Sequence, residues 1–250
     1  MDIKGQYKFY KFGELAYKKA YSLYQPIYFY WKGRKDKEKI DFLREYIKPG
    51  MTVIDIGANI GFYSALFAKM VGEKGRVYSF EPDPVNFSHL VSNTKKFKNA
   101  TVNNAAVSDK SGTIKLYRYN LNVEFKTYDV NGESTDFTEI KCVSLDDYFK
   151  NGETADVVKT DTEGYDYFVI NGMKELIRRS KNLVLITEFW PYMLNKSGIT
   201  PGQFITQLKE MGFTTIKFTD ANAEELYDKM VNERFFYTDI IAIKSSPAIG

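Results

Sequence analysis

A chain of 250 residues with one cysteine, Cys142, closes no disulfide within itself. Cys142 falls in an alternating apolar and polar run and reads as buried filler in a strand. The one histidine, His89, stands between Phe87 and Leu90 on a helical stretch, a packing or surface position. Acid and base chemistry on this chain therefore falls to carboxylates. No run approaches the roughly 20 apolar residues that cross a bilayer. Met1 to Lys11 mixes charges with aromatics and lacks the apolar centre of a secretion signal. These absences make a soluble cytoplasmic protein the expectation. No internal repeat, low-complexity tract or recognised nucleic-acid module is visible, so nucleic acid is not expected as a partner.

A further absence bears on the ligand. A dinucleotide fingerprint opening at Gly57 needs glycines at 59 and 62, and the chain has Asn59 and Phe62 there. That argues against a pyrophosphate on the helix N-terminus. Asp55, just ahead of the turn, adds negative charge where a phosphate would be repelled and a sulfonium or ammonium favoured.

The stretch Val53-Ile54-Asp55-Ile56-Gly57-Ala58-Asn59-Ile60-Gly61 organises what is present. Its branched apolar residues read as a strand buried on both faces. Gly57 and Gly61 then make a tight turn with room for a ligand, Asn59 tolerates unusual backbone angles, and a helix follows. Strand, glycine turn and helix form the nucleotide crevice of an open α/β sheet. The second strand, Arg76 to Phe80, ends at Glu81, whose carboxylate can accept both hydroxyls of a ribose. Asp55 and Glu81 around this turn suggest S-adenosylmethionine.

Five motifs in order make the chain recognisable: Asp55–Gly61, Glu81-Pro82-Asp83-Pro84, Ala106–Gly112, Ser144–Tyr148 and Lys159-Thr160-Asp161-Thr162-Glu163-Gly164. The series resembles the FkbM family of S-adenosylmethionine-dependent methyltransferases, from about Lys48 to Trp190 and more weakly to Lys244. The resemblance implies a cofactor site of Asp55, Gly57, Ala58, Asn59, Gly61, Tyr63, Glu81, Pro82, Asp83, Asn86, Ala106, Val107, Ser108 and Asp161, with Ala106, Val107 and Ser108 beside the adenine. It implies O-methylation of a hydroxyl on a sugar, glycan or small metabolite. The chain departs from the family at Thr160 and Thr162, where apolar residues are usual.

A hydrophobic share of 44% allows one large domain with a sizeable core. The expected fold is a Rossmann-like seven-stranded mixed sheet with helices on both faces and a terminal antiparallel pair, Phe213–Phe218 with Thr238–Ile243. Helices are expected at Lys35–Ile47, Ile60–Met70, Val85–Lys96, Leu145–Phe149, Met173–Arg179 and Pro201–Met211. Asp156–Asp161 and Leu183–Glu188 are further strands, the former beside the first. The third strand is expected at Thr101–Ala106. After it a hairpin is inserted, Thr113–Tyr117 with Thr138–Val143, its loop carrying Asn131-Gly132.

Residues 1–40 lie outside the resemblance and hold ten Lys or Arg against four Asp or Glu, a surplus of six positive charges. They read as an aromatic, basic helical extension to a methyltransferase domain at 41–250, with a helix from Glu14 to Tyr24 that Pro26 interrupts. The extension packs on the domain, covers the pocket, or meets an anionic partner or membrane face.

Catalytic candidates are Glu163, Asp161 and Glu188, with Lys159 as an orienting partner; Asp161 suits the cofactor's amino group and Glu163 the acceptor. Lys159 and Glu163 as structural ion pairs remain the plainer alternative. A magnesium site of Asp161, Glu163 and Glu188 is conceivable chemically, but no metal is expected. N-methylation, a nicotinamide-dependent oxidoreductase and a non-catalytic adaptor are the competing readings. The sequence names neither the acceptor nor the oligomeric state.

Overall fold

A computed structural model describes residues 17, 20–118, 125–126, 137–220 and 227–245. The described residues fall into two compact units, one up to Tyr46 and one from Ile47 onward.

The first unit holds helices α1 (Tyr21–Lys35) and α2 (Lys37–Tyr46). The expected break at Pro26 is absent, and α1 runs through it. A proline there removes one backbone hydrogen bond and crowds the preceding turn, at a cost of about 3 kcal/mol. A ladder of rings at helical spacing offsets that cost. Tyr17 lies 5.5 Å from Tyr24, Tyr24 is 5.5 Å from Tyr28, and Tyr28 is 5.9 Å from Trp31, centroid to centroid. Each such pair contributes about 0.5–1.5 kcal/mol. In α2, Ile40 and Leu43 form the buried stripe, while Asp41 pairs with Lys37 and Arg44 on the exposed side.

The second unit is built on a seven-stranded sheet. Its strands are β1 (Thr52–Ile56), β2 (Arg76–Phe80), β3 (Ala100–Asn103), β8 (Val157–Thr160), β9 (Leu183–Phe189), β10 (Thr215–Phe218) and β11 (Thr238–Lys244). Their order is β10–β11–β9–β8–β1–β2–β3, with β11 antiparallel to both neighbours and the other pairs parallel. Successive side chains of a strand point to opposite faces. All four residues of β8 are buried, as are Val53 to Ile56 of β1 and Leu183 to Thr187 of β9. Both faces are therefore covered. The helices are α3 (Phe62–Val71), α4 (Pro84–Thr94), α5 (Leu145–Tyr148), α6 (Asp166–Asn171), α7 (Lys174–Arg179), α8 (Pro191–Lys196) and α9 (Pro201–Glu210). Phe67, Phe80, Phe189 and Phe204 are among the largest fully buried side chains.

The insertion after β3 is larger than a hairpin. β5 (Gly112–Arg118) and β7 (Phe137–Val143) pair antiparallel as expected, and β4 (Ala106–Val107) and β6 (Phe125–Lys126) extend them to four strands in the order β4–β7–β5–β6. The expected third strand is correspondingly shorter. It stops at Asn103 because the Asn104 side-chain amide donates to the carbonyls of Glu81 (2.9 Å) and Pro82 (3.0 Å) and turns the chain. Ala106 and Val107 then pair with Cys142 and Val143 in the second sheet. The Asn131-Gly132 turn lies outside the described residues. Cys142 is buried in β7, and burial pushes its thiol up to about 11.

The chain runs from β1 outward to β3 and returns to β8 on the other side of β1. The reversal leaves a crevice beyond the carboxyl ends of β1 and β8, where open α/β sheets bind ligands.

Candidate active site

Strand register puts a row of ionisable side chains on one face at that crevice. Asp55 on β1 lies opposite Lys159 on β8, Lys159 opposite Ile186 on β9, and Glu188 opposite Asp239 on β11. Since alternate residues share a face, Asp55, Lys159, Asp161, Glu188 and Asp239 point the same way. The Lys159 Nζ is 3.5 Å from Asp55 Oδ1 and 3.5 Å from Asp161 Oδ2, and 5.1 Å from the centre of the buried Tyr63 ring. Burial works against a charged lysine, but Asp161, Asp55 and Asp239 outweigh it and hold the Lys159 pKa above its ordinary value. Lys159 is thus a fixed cation and no proton acceptor. Asp55 is wholly buried; its Oδ2 accepts from Ser64 Oγ at 2.6 Å and its charge is answered by Lys159. Asp161, with 35% of its side chain exposed, is the member of this ion-pair group open to a ligand.

The glycine turn is tied to the neighbouring elements. The N–H groups of Gly57 and Ala58 donate to the Phe80 carbonyl at 3.1 and 3.0 Å. Gly57 has φ +70°, and a Cβ on it would lie 2.0 Å from the Asp161 carbonyl oxygen. Gly61 has φ +86°, and a Cβ there would lie 2.8 Å from Leu90 Cδ1. The Cβ direction at each of these glycines is therefore filled by protein. These glycines draw the turn against Asp161 and α4, which sets the Asp161 carboxylate beside it. Asn59 has φ +50° and donates its N–H to Glu81 Oε2 at 2.7 Å. Glu81 Oε1 accepts the N–H of Asp83 at 2.9 Å, and the Asn86 side chain also bonds to Glu81. Asp83 caps α4 through the N–H groups of Val85 and Asn86, and Pro84 begins that helix. Burial pushes Glu81 up to about 7, against the pull of its hydrogen bonds from Asp83 and Asn59. A carboxylate oxygen has two acceptor sites, so with Asn59, Asp83 and Asn86 bound the Glu81 carboxylate keeps room for about one further donor.

The two threonines of the acidic motif have a purpose the sequence alone did not reveal. Thr160 Oγ1 donates to Asp166 Oδ1 at 2.6 Å, and the Thr162 N–H donates to Asp166 Oδ2 at 3.4 Å. Asp166 is buried in the first turn of α6, and burial, with the Asp161 charge, pushes it up to about 6. The threonines and Asp166 thus hold the Asp161-to-Gly164 turn. An acidic residue just past Gly164, at the start of a helix too short to show periodicity, was the signal for this partner. Within the turn Glu163 has φ +55°, a left-handed conformation uncommon for a residue with a side chain. Ser108 Oγ lies 2.9 Å from the Tyr165 hydroxyl, which joins the expected adenine wall to this motif. Ala106 and Val107 are buried strand residues beside it.

Glu188, on β9, stands in the row between β8 and Asp239 of β11. Its Oε2 is covered and has no hydrogen-bond partner. Burial, then the charges of Asp161, Glu163, Asp166 and Asp239, hold its pKa well above the ordinary carboxylate range. Among the described residues no group of three or more His, Cys, Asp or Glu is arranged to hold a metal ion. His89 is a partly buried residue of α4, held below its ordinary pKa by burial. A hollow of about 840 Å³ lined by Tyr167, Asn171, Arg178, Gln207 and Lys244 contains none of the crevice residues.

The raised carboxylates set a pH dependence of stability. A carboxyl whose folded pKa exceeds its unfolded value stabilises the fold below the unfolded pKa and loses that contribution as pH rises through the folded one. For Asp166 at about 6 and Glu81 at about 7 the loss spans about pH 4 to 7. The melting temperature of the ligand-free protein should therefore fall between about pH 5 and pH 8, and Glu81→Gln should flatten the slope. Scanning fluorimetry across that range reads it; a rising melting temperature would show that these carboxyls ionise freely in the fold.

The chain is similar in sequence to known methyltransferases. The methyltransferase FkbM domain matches residues 55–215. The hexuronic acid methyltransferase AglP of Haloferax volcanii is 27% identical over 199 residues, covering 77% of this chain and 75% of that protein. The 2-O-methyltransferase NoeI of Sinorhizobium fredii is 25% identical over 151 residues, covering 54% and 62%. The 31-O-demethyl-FK506 methyltransferase FkbM of Streptomyces tacrolimicus is 39% identical over 74 residues, covering 29% and 28%. With the matched domain spanning the glycine turn, Glu81, the acidic motif and Glu188, the chain belongs to the FkbM family of methyltransferases.

Proposed function

We propose that the protein transfers a methyl group from S-adenosylmethionine to a hydroxyl of a sugar, free or within a glycan. One observation carries the reading: the shared face of Asp55, Lys159, Asp161 and Glu188 at the crevice, beside a turn that Glu81 ties down. The residues fit the cofactor. Glu81 keeps acceptor capacity for a ribose hydroxyl, and Asp161, held by Lys159 and partly exposed, suits the amino group. Bound there, S-adenosylmethionine supplies a methyl group on a sulfonium as the electrophile.

The chain's own residues then have distinct tasks. Lys159 stays protonated and fixes Asp55 and Asp161. Asp166 is committed to Thr160 and Thr162. Glu163 and Glu188 meet the acceptor. Glu163, on the turn, orients the hydroxyl. Glu188 receives its proton, because its Oε2 has no hydrogen-bond partner within the protein and is left to accept one. A lining so rich in carboxylates repels an acceptor carboxylate at the reacting position, so a hydroxyl is methylated and not an acid group. The relatives named for hexuronic acid and 2-O-methylation favour a sugar.

The test is incubation with methyl-labelled S-adenosylmethionine and a panel of neutral hexosides, hexuronates and aminohexosides. Alkali-stable label, an ether, is expected. Alkali-labile label, an ester, or label confined to amines would overturn the hydroxyl assignment. Within this reading Glu81→Ala should weaken cofactor binding by about 1.5–3 kcal/mol, the range for hydrogen bonds to a charged group. Unchanged affinity in a calorimetric titration would place the ribose elsewhere.

A further inference from the structure

Helix α1, in the first unit, leaves a row of large apolar side chains exposed to water. Leu23 and Ile27 are each 69% exposed, Tyr30 is 70% and Trp31 48% exposed. At about 100° per residue, positions 23, 27, 30 and 34 lie along one stripe, with Pro26 and Trp31 at its edges. The opposite side, Tyr21, Tyr24, Tyr28 and Phe29, is the half-buried one. A helix face left in water ordinarily carries charge, and here its first three turns carry none.

The end of the stripe is basic. Lys32, Arg34 and Lys35 occupy the last turn, and Tyr21–Lys35 contains no acidic residue. The Arg34 guanidinium lies 6.0 Å from the centre of the Tyr30 ring and the Lys35 ammonium 5.2 Å from that of Trp31. Cations thus adjoin the two exposed aromatics at one end, and aliphatic residues fill the other. With the surplus of six positive charges in residues 1–40, the surface suits an anionic partner that also accepts apolar side chains.

We propose that α1 docks on an anionic membrane surface, with Leu23, Ile27, Tyr30 and Trp31 entering the boundary between headgroups and acyl chains and Arg34 and Lys35 meeting acidic headgroups. Aromatic and basic residues concentrate at that depth, and amphipathic helices lie there along the surface. Among the described residues no helix is long and apolar enough to cross a membrane, so the contact is along the surface. A nucleic acid would call for cations spread along the helix, and here they are gathered at one end. A second copy of this helix would bring no acid to Arg34 or Lys35.

The test uses the full chain and vesicles of phosphatidylcholine, alone or with about 30% phosphatidylserine. Co-sedimentation is expected with the phosphatidylserine vesicles only, and high salt should weaken it. Trp31 emission should shift to the blue on binding. Trp190, only 8% exposed, supplies a constant background, and Trp31→Phe should abolish the shift. The double variant Leu23→Glu, Ile27→Glu should lower vesicle affinity at least about tenfold while its far-UV circular dichroism and its binding of S-adenosylhomocysteine stay as in the parent. Failure to bind phosphatidylserine vesicles, or unchanged binding by the double variant, would overturn the proposal. So would a stripe-dependent dimer in sedimentation velocity, or binding to an oligonucleotide, without vesicle binding.

Discussion

Glu188→Gln is expected to lower methyl-transfer turnover by about 10²–10⁴-fold, the span for a positioned acid or base, and to leave cofactor affinity unchanged. The glutamine keeps the size of the side chain and removes the proton acceptor. Glu188 is singled out because its neighbours already have other commitments. Lys159 is a permanent cation between Asp55 and Asp161. Asp166 is bound to Thr160 and Thr162. Glu188 alone of the cluster combines a covered oxygen without a partner and a proton affinity raised by burial and surrounding charge. The pH profile of turnover should lose its acidic limb in the variant. Glu163→Gln should act chiefly on the acceptor KM, as suits a group that orients the hydroxyl. If Glu188→Gln turns over like the parent and Glu163→Gln does not, the two roles are exchanged.

Lys159→Met should destabilise the fold by about 3–5 kcal/mol, the loss seen when one partner of a buried ion pair is removed. Asp55 is wholly buried and Lys159 is 3% exposed, so the charge left on Asp55 has no route to water. Denaturant unfolding measures the loss. Adding Asp55→Asn to Lys159→Met should recover a large part of it, because the amide keeps an acceptor for Ser64 without an unpaired charge. Equal stability of Lys159→Met and the parent would mean that this pair contributes nothing, and that Asp161 is held by other means.

The central sheet was legible because β1, β8 and β9 are covered on both faces and so read as short, mainly apolar runs broken only at residues such as Asp55, Lys159 and Glu188. The terminal pair and the β5–β7 pairing were legible from their patterns. The rest depended on contacts that hydrophobic periodicity does not report. The helix through Pro26 rests on ring contacts that outweigh a local breaker. The two-residue strands β4 and β6 are too short to carry a pattern. At the site, the sequence placed Asp55 toward the ligand, whereas register across β1 and β8 sets it beneath Lys159. The glycine turn was legible as a turn, but the atoms filling the space beside Gly57 and Gly61 come from Asp161 and Leu90. Thr160 and Thr162 looked like departures from a pattern until Asp166 supplied their partner.

That the crevice beyond the carboxyl ends of β1 and β8 takes S-adenosylmethionine is tested most directly by calorimetric titration of the full chain with S-adenosylhomocysteine and, separately, with NADH. Saturable binding of S-adenosylhomocysteine and no heat with NADH is the expected result. Tight NADH binding with no response to S-adenosylhomocysteine would contradict it.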